Sequence, residues 1–214
     1  ALLAAEGYVA LFPASFFSRG FFDYNDDVDN IPPGFDDEER LRARVYDAHA
    51  AVEYLCSLPA VCCEGLGLVG FSNGGSTTVL ALHEAVETLD GLDALPPLAA
   101  RPPLSLGVAY YPGCGLDGLL TLSDDLEDLA DFYFPHAPLY IQHAEEDDLL
   151  EHCPTRALQA GAVAEEHGVK NPVDLLVYPG VDHGFDSNPA NADEEAARDE
   201  ARARALDLLR AALW

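Results

Sequence analysis

Serine, a carboxylate and histidine occur in this 214-residue chain in an order that lets them activate a hydroxyl for attack on a carbonyl carbon. Gly70-Phe71-Ser72-Asn73-Gly74 fits the pattern Gly-x-Ser-x-Gly and lies between an apolar run and a helical one. A sharp strand-to-helix turn at that point exposes the Ser72 hydroxyl, and Gly70 and Gly74 omit side chains that would collide across it. The backbone N–H of Asn73, at the helix start, then points at a developing oxyanion. An ordinary glycine-rich turn fits the same five residues, but the flanking elements favour the nucleophile.

A nucleophilic serine needs a base. The segment Tyr178-Pro179-Gly180-Val181-Asp182-His183-Gly184-Phe185 follows the last apolar run directly and sets His183 in a turn-rich loop. His49, His83 and His167 fall in helical patterns, and His136, His143 and His152 lie near the penultimate apolar run, so none shares that position. The orienting carboxylate belongs just after that penultimate run, where Glu145, Glu146, Asp147 and Asp148 are consecutive. Asp147 is the first choice, Asp148 the second and Glu146 the third; the remainder reads as a solvated acidic turn. Arg19 sits at the end of the first predicted strand, where ligands of open α/β sheets bind. It is a candidate clamp for a substrate carboxylate, or a structural arginine holding the loop that follows.

The elements that must position these residues alternate. Gly7–Pro13 reads as a buried strand and Asp36–Ser57 as an amphipathic helix, with Leu41, Val45, Ala48, Val52 and Leu55 at helical spacing. Gly65–Phe71 is a strand, followed by a helix from Asn73 to about Thr88. Leu104–Tyr111, Pro138–His143 and Val173–Tyr178 are three more strands, and helices are expected over Pro154–His167 and Ala192–Leu213. Near-continuously apolar strands alternating with helices predict a mostly parallel sheet covered on both faces, in one domain over residues 1–214. Asp23–Glu39 is expected to be mostly surface loop.

The stretches LLAAEGYVALFPASFFSRG, RVYDAHAAVEYL, GLVGFSNGG, YYPGCG, the acidic turn at Asp147 and YPGVDHGFD resemble the dienelactone hydrolase family in its serine-nucleophile branch, nearly end to end. The resemblance implies an α/β-hydrolase fold and cleavage of ester or lactone bonds in small carboxylate-bearing substrates, with no metal and no organic cofactor. The family's founding enzymes have cysteine where this chain has Ser72, which points to a general esterase rather than to dienelactone itself. A serine peptidase of prolyl-oligopeptidase type and a non-catalytic ligand-binding protein are the alternatives. The family's sheet also carries a strand and a His-Gly-type loop before the segment that opens this chain. Neither has a counterpart here, so the expectation is an N-terminally truncated fold with a half-built oxyanion hole.

Composition narrows the partners. Asp and Glu number 38 against 11 Lys and Arg, for a net charge of −27. Such a surface repels nucleic acid and anionic membranes, and no apolar run is long enough to span a bilayer. The spread of acids suits a solvated, salt-adapted surface, with simple compositional bias as the alternative. Five cysteines without a CxxC pair argue against a disulfide scaffold and a structural zinc site. Cys62 and Cys63 are expected to pack as small apolar groups, and Cys114 and Cys153 to stay free thiols in a reducing cytoplasm, although they are close enough to the same turn to bridge.

Overall fold

Short apolar runs bounded by glycine, proline and polar turns form four parallel strands: β1 (Gly67–Phe71), β2 (Leu106–Tyr110), β3 (Leu139–Ala144) and β4 (Val173–Tyr178). The computed structural model describes residues 2–19, 36–123, 132–170, 173–187 and 189–214. The strands pair in the order β1-β2-β3-β4. Gly70 is opposite Ala109, Ala109 opposite Ile141, and Ile141 opposite Leu175. Every residue of β2 is buried, as a parallel strand covered on both faces requires.

The helices are α1 (Leu2–Ala5), α2 (Asp37–Cys56), α3 (Asn73–Ala81), α4 (Cys153–Glu166) and α5 (Ala192–Leu213). Asp36 caps α2 by accepting the Glu39 N–H at 2.9 Å, and Asp37, Glu38 and Glu39 follow in the first turn, where the helix dipole favours acids. Leu41, Val45 and Val52 of α2, Val79 and Leu80 of α3, and Ala160 of α4 share one core on one face of the sheet. The other face is covered by α5, whose Ala197, Ala201, Ala205 and Leu209 recur every four residues and meet Leu106, Val108, Tyr110 and Tyr178. The small alanines bring α5 close enough for the Tyr110 hydroxyl to donate to the Ala201 carbonyl at 2.9 Å.

Three expectations need correction. Gly7–Pro13 is not a strand: beyond the turn at Gly7 it runs irregularly, with Val9, Leu11 and Phe12 exposed. An apolar run becomes a strand only beside a ladder partner, and among the described residues no strand stands between this segment and β1. The helix from Asn73 stops at Ala81 and resumes only as a 3-10 turn at Val86–Thr88. Backbone pairing interrupts it: His136 N–H donates to Leu82 O and Glu84 N–H to Phe134 O, each at 2.9 Å. The cysteines are mostly paired, Cys56 with Cys63 and Cys114 with Cys153, and Cys62 is free and exposed. Cα separations of 4.8 and 4.9 Å suit bridging, a proximity that sequence spacing does not reveal. Of the expected loop Asp23–Glu39, residues 23–35 lie outside the described residues, and α2 begins at Asp37.

Candidate active site

The turn from β1 into α3 holds Ser72 at φ 53° and ψ −123°, a conformation that non-glycine residues rarely adopt. Two backbone bonds fix it: Ser72 N–H donates to Tyr110 O and Ser76 N–H to Ser72 O, both at 3.0 Å. A Cβ at Gly70 would run into the Gly74 carbonyl, so Gly70 is sterically required. The second obligatory glycine is Gly75, whose Cβ would lie 2.8 Å from Tyr110 O. At Gly74, by contrast, a Cβ would meet only the flexible end of Arg44 at 3.3 Å, so the pattern's final glycine is less constrained than the sequence suggests.

Ser72, Asp147 and His183 come together from three separate loops at the carboxyl ends of β1, β3 and β4. His183 Nε2 lies 2.9 Å from Ser72 Oγ, and its Nδ1 lies 2.6 Å from Asp147 Oδ2. The other Asp147 oxygen accepts the Leu149 N–H at 2.9 Å, which orients a carboxylate that is almost fully buried. Asp148 and Glu146 do not reach the imidazole. Asp148 faces the neighbouring cavity, whereas Glu146 uses its N–H on Val181 O at 3.0 Å. Glu145 Oε2 likewise accepts the Gly180 N–H at 3.0 Å, so the acidic turn is tied to the loop that carries His183.

Asn73 begins α3, where a first-turn N–H has no intrahelical acceptor to satisfy. Its side-chain oxygen accepts from Arg44 Nη1 at 2.8 Å. Arg19 does not join the group. Its guanidinium is bidentate on Asp47 at 2.7 and 3.1 Å and also bonds the Ser15 carbonyl, which matches the structural alternative to the clamp.

A cavity of about 800 Å³ opens beside Ser72 and Asn73. Its far wall is the loop from Gly113 to Leu122, and Asp37, Asp117, Asp148 and Glu151 contribute carboxylates to its lining. Burial pushes the Asp117 carboxyl above its ordinary value. The wall is organised from behind by Arg156, which is fully buried and has no carboxylate partner among the described residues. It donates to the carbonyls of Cys114 (2.8 Å), Thr121 (2.5 Å), Gly115 (3.2 Å) and Leu120 (3.0 Å). Burial lowers this guanidinium to about 10, still charged near neutrality. Cys153, at the start of α4, ties the same loop through Cys114. Among the described residues no three His, Cys, Asp or Glu side chains converge as metal ligands.

Sequence reasoning missed the roles of four residues around this site. Tyr111 lies at the end of β2 with φ 37°, and its ring meets the His183 imidazole edge-on at 4.6 Å. Asp186 accepts its phenolic hydrogen. His143 is buried beside Asp147, and Arg156 is invisible as anything but one more helical arginine. The YYPGCG and HGFD stretches contain the first two, but nothing in the letters alone joins them.

The family model described as the dienelactone hydrolase family matches residues 1–213. No sequence among curated proteins matches the chain. In structure it is similar to a protein of Klebsiella pneumoniae subsp. pneumoniae provisionally named dienelactone hydrolase, with TM-score 0.62 and 19% identity over 98% of this chain and 78% of that one. It is also similar to a dienelactone hydrolase-like promiscuous phosphotriesterase from metagenomic libraries, with TM-score 0.56 and 19% identity over 90% and 70% of the two chains. A third is a thermophilic esterase from the planctomycete Thermogutta terrifontis, with TM-score 0.55 and 15% identity over 80% and 63%. At these identities the structural likeness establishes the α/β-hydrolase fold.

Proposed function

We infer the chemistry from one premise, that the chain belongs to the dienelactone hydrolase family, and propose that it cleaves carboxylic esters of small molecules through an acyl-enzyme on Ser72. The supporting observation is the unbroken relay from Ser72 Oγ to His183 Nε2 at 2.9 Å and from His183 Nδ1 to Asp147 Oδ2 at 2.6 Å.

In this reading His183 Nε2 takes the hydroxyl proton as Ser72 Oγ bonds to the ester carbonyl carbon. Asp147 keeps the proton on Nδ1 and stabilises the imidazolium. The tetrahedral oxyanion accepts from the Asn73 N–H, a kind of contact worth on the order of 10²–10³ in rate. As the tetrahedral intermediate collapses, the carbon–oxygen bond to the alcohol breaks and His183 returns the proton to the leaving alkoxide. The same nitrogen then deprotonates a water, whose attack on the acyl-enzyme releases the acid and restores Ser72. A cavity of about 800 Å³ suits a small ester or lactone rather than a folded polypeptide.

The test is turnover of p-nitrophenyl acetate or butyrate by the wild type and by Ser72→Ala. The expected result is a loss of at least about 10⁴-fold in kcat. A folded wild type without Ser72-dependent release supports the binding-protein alternative instead. The two cysteine pairs bear on location as well. Disulfides persist where thiols are not kept reduced, so they favour an oxidising compartment over the cytoplasm expected from the sequence. No described helix is long and apolar enough to cross a membrane.

A further inference from the structure

Tyr111 is a bulky residue held at φ 37°, which costs on the order of 1–2 kcal/mol unless its surroundings impose it. The surroundings do so at both ends. Its N–H donates to Gln142 O on β3 at 2.8 Å, and its hydroxyl donates to Asp186 Oδ1 in a buried hydrogen bond. Both residues are buried, at 4% and 6% exposure, and burial together with the Asp186 carboxylate pushes the phenol above its usual range, keeping it a donor.

Asp186 lies three residues beyond His183, on the same loop. That loop is glycine-flanked, with Gly180 at φ 65° and Gly184 at φ 79°, so its backbone has little intrinsic preference for one path. Its first half is tied to the acidic turn through Gly180 and Val181. Its second half is tied through Asp186, whose side chain binds Tyr111 and whose carbonyl accepts from Arg202 Nη2 of α5 at 2.5 Å. Between the two ties stands His183, whose side chain is 38% exposed and whose ring is met by the edge-on Tyr111 at 4.6 Å. Phe185 packs against Tyr111 at 5.7 Å and fills the space behind.

We propose that Tyr111 and Asp186 form a positioning pair for the base: their buried hydrogen bond locks the His183 loop to the end of β2 and keeps the imidazole within bonding distance of Ser72. The inference rests on the Ser72 hydrolase reading. Asp147 orients the ring from Nδ1, but it leaves the loop's distance from the nucleophile unset. The Tyr111–Asp186 bond sets it, because Tyr110, the residue before Tyr111, accepts the Ser72 N–H through its carbonyl.

The experiment compares Tyr111→Phe, Asp186→Ala, Asp186→Asn and the Tyr111→Phe/Asp186→Ala pair on p-nitrophenyl butyrate, well below each variant's melting temperature. Phosphonylation of Ser72 by a fluorophosphonate gives a single-turnover readout of the same base. Tyr111→Phe and Asp186→Ala should each lower kcat and the phosphonylation rate by about 10- to 100-fold, with KM within about twofold. The double variant should be no slower than the worse single one. Asp186→Asn keeps an acceptor for the phenol and should recover to within about threefold of wild type. Wild-type kcat in folded Tyr111→Phe overturns the proposal, as does a loss that appears only in KM. Absence of Ser72-dependent turnover in the wild type overturns the hydrolase reading first, and the two failures are told apart by that control.

Discussion

The buried imidazole of His143 lies 3.8 Å from Asp147 Oδ2, the same oxygen that His183 contacts at 2.6 Å. Pro112 O lies 3.1 Å from its Nε2 and the Ala144 N–H 3.0 Å from its Nδ1, contacts that a neutral ring with its proton on Nε2 satisfies. Burial lowers its affinity for a second proton. Near neutral pH His143 is therefore uncharged and leaves the carboxylate's charge to His183. Replacing it with Phe orphans two buried backbone groups and should cost about 2 kcal/mol in urea unfolding, with kcat reduced less than about tenfold. A kcat loss as deep as that of an Asp147→Ala variant would show that His143 itself carries part of the relay.

Arg156 should be the most damaging single truncation behind the cavity. Arg156→Met keeps the volume but strands the carbonyls of Cys114, Gly115 and Leu120, while Thr121 O keeps the Gln159 Nε2 donor at 3.3 Å, and a loss of about 3–5 kcal/mol is expected. The wall from Gly113 to Leu122 should loosen before the rest, seen as faster hydrogen exchange there than in β2 and β3.

Acid should unfold the protein partly through His49 and His83, each lowered to about 4 chiefly by burial. A depressed folded value means that the unfolded chain takes up these protons first. Stability from this source is whole above about pH 6.5, falls as pH drops toward 4, and changes no further below that. Each contributes at most about 3 kcal/mol across the window. His49 Nε2 is buried without a hydrogen-bond partner among the described residues, so His49→Gln is the cleaner variant, and its unfolding free energy should depend less steeply on pH between 6.5 and 4.

Reduction should lower the melting temperature. Cys114–Cys153 spans 39 positions and Cys56–Cys63 spans 7, which by loop entropy gives about 4 and about 2.5 kcal/mol. A fall of roughly 10 °C or more in dithiothreitol is expected, checked against Cys114→Ser/Cys153→Ser. An unchanged melting temperature after complete reduction would show that the pairs add nothing to stability.

The cavity lining holds four carboxylates and no Arg or Lys among the described residues, although Arg40 pairs with Asp37. An ester whose acyl chain ends in carboxylate should therefore react about three- to tenfold more slowly, in kcat/KM, than its neutral isostere at low salt. Added salt and Glu151→Gln should both narrow the gap. A faster anionic substrate would restore the carboxylate-bearing class that the family resemblance implies.

Some of this architecture is legible one residue at a time. The alternation of apolar strands and helices marks the parallel sheet, because periodicity is local, and α5 begins and ends where its pattern does. Ser72 is marked by Gly-x-Ser-x-Gly, and the order serine, acid, histidine follows the order of β1, β3 and β4 across the sheet. Asp147 is only one of four consecutive acids in the sequence. It differs from Asp148 because a turn aims one carboxylate at His183 and the next at the cavity, and a rotation of one residue carries no letter of its own. The sequence over-reads Gly7–Pro13, since an apolar run does not say whether a ladder partner exists. It under-reads the cysteines, since bridging depends on Cα separation across the fold. Tyr111 and Asp186 stand 75 positions apart, and Arg156 finds its carbonyls more than 30 positions upstream. Such bonds exist only once the sheet has brought distant loops to one end, so their partners belong to the tertiary structure, while the chemistry of each side chain was already set by the sequence.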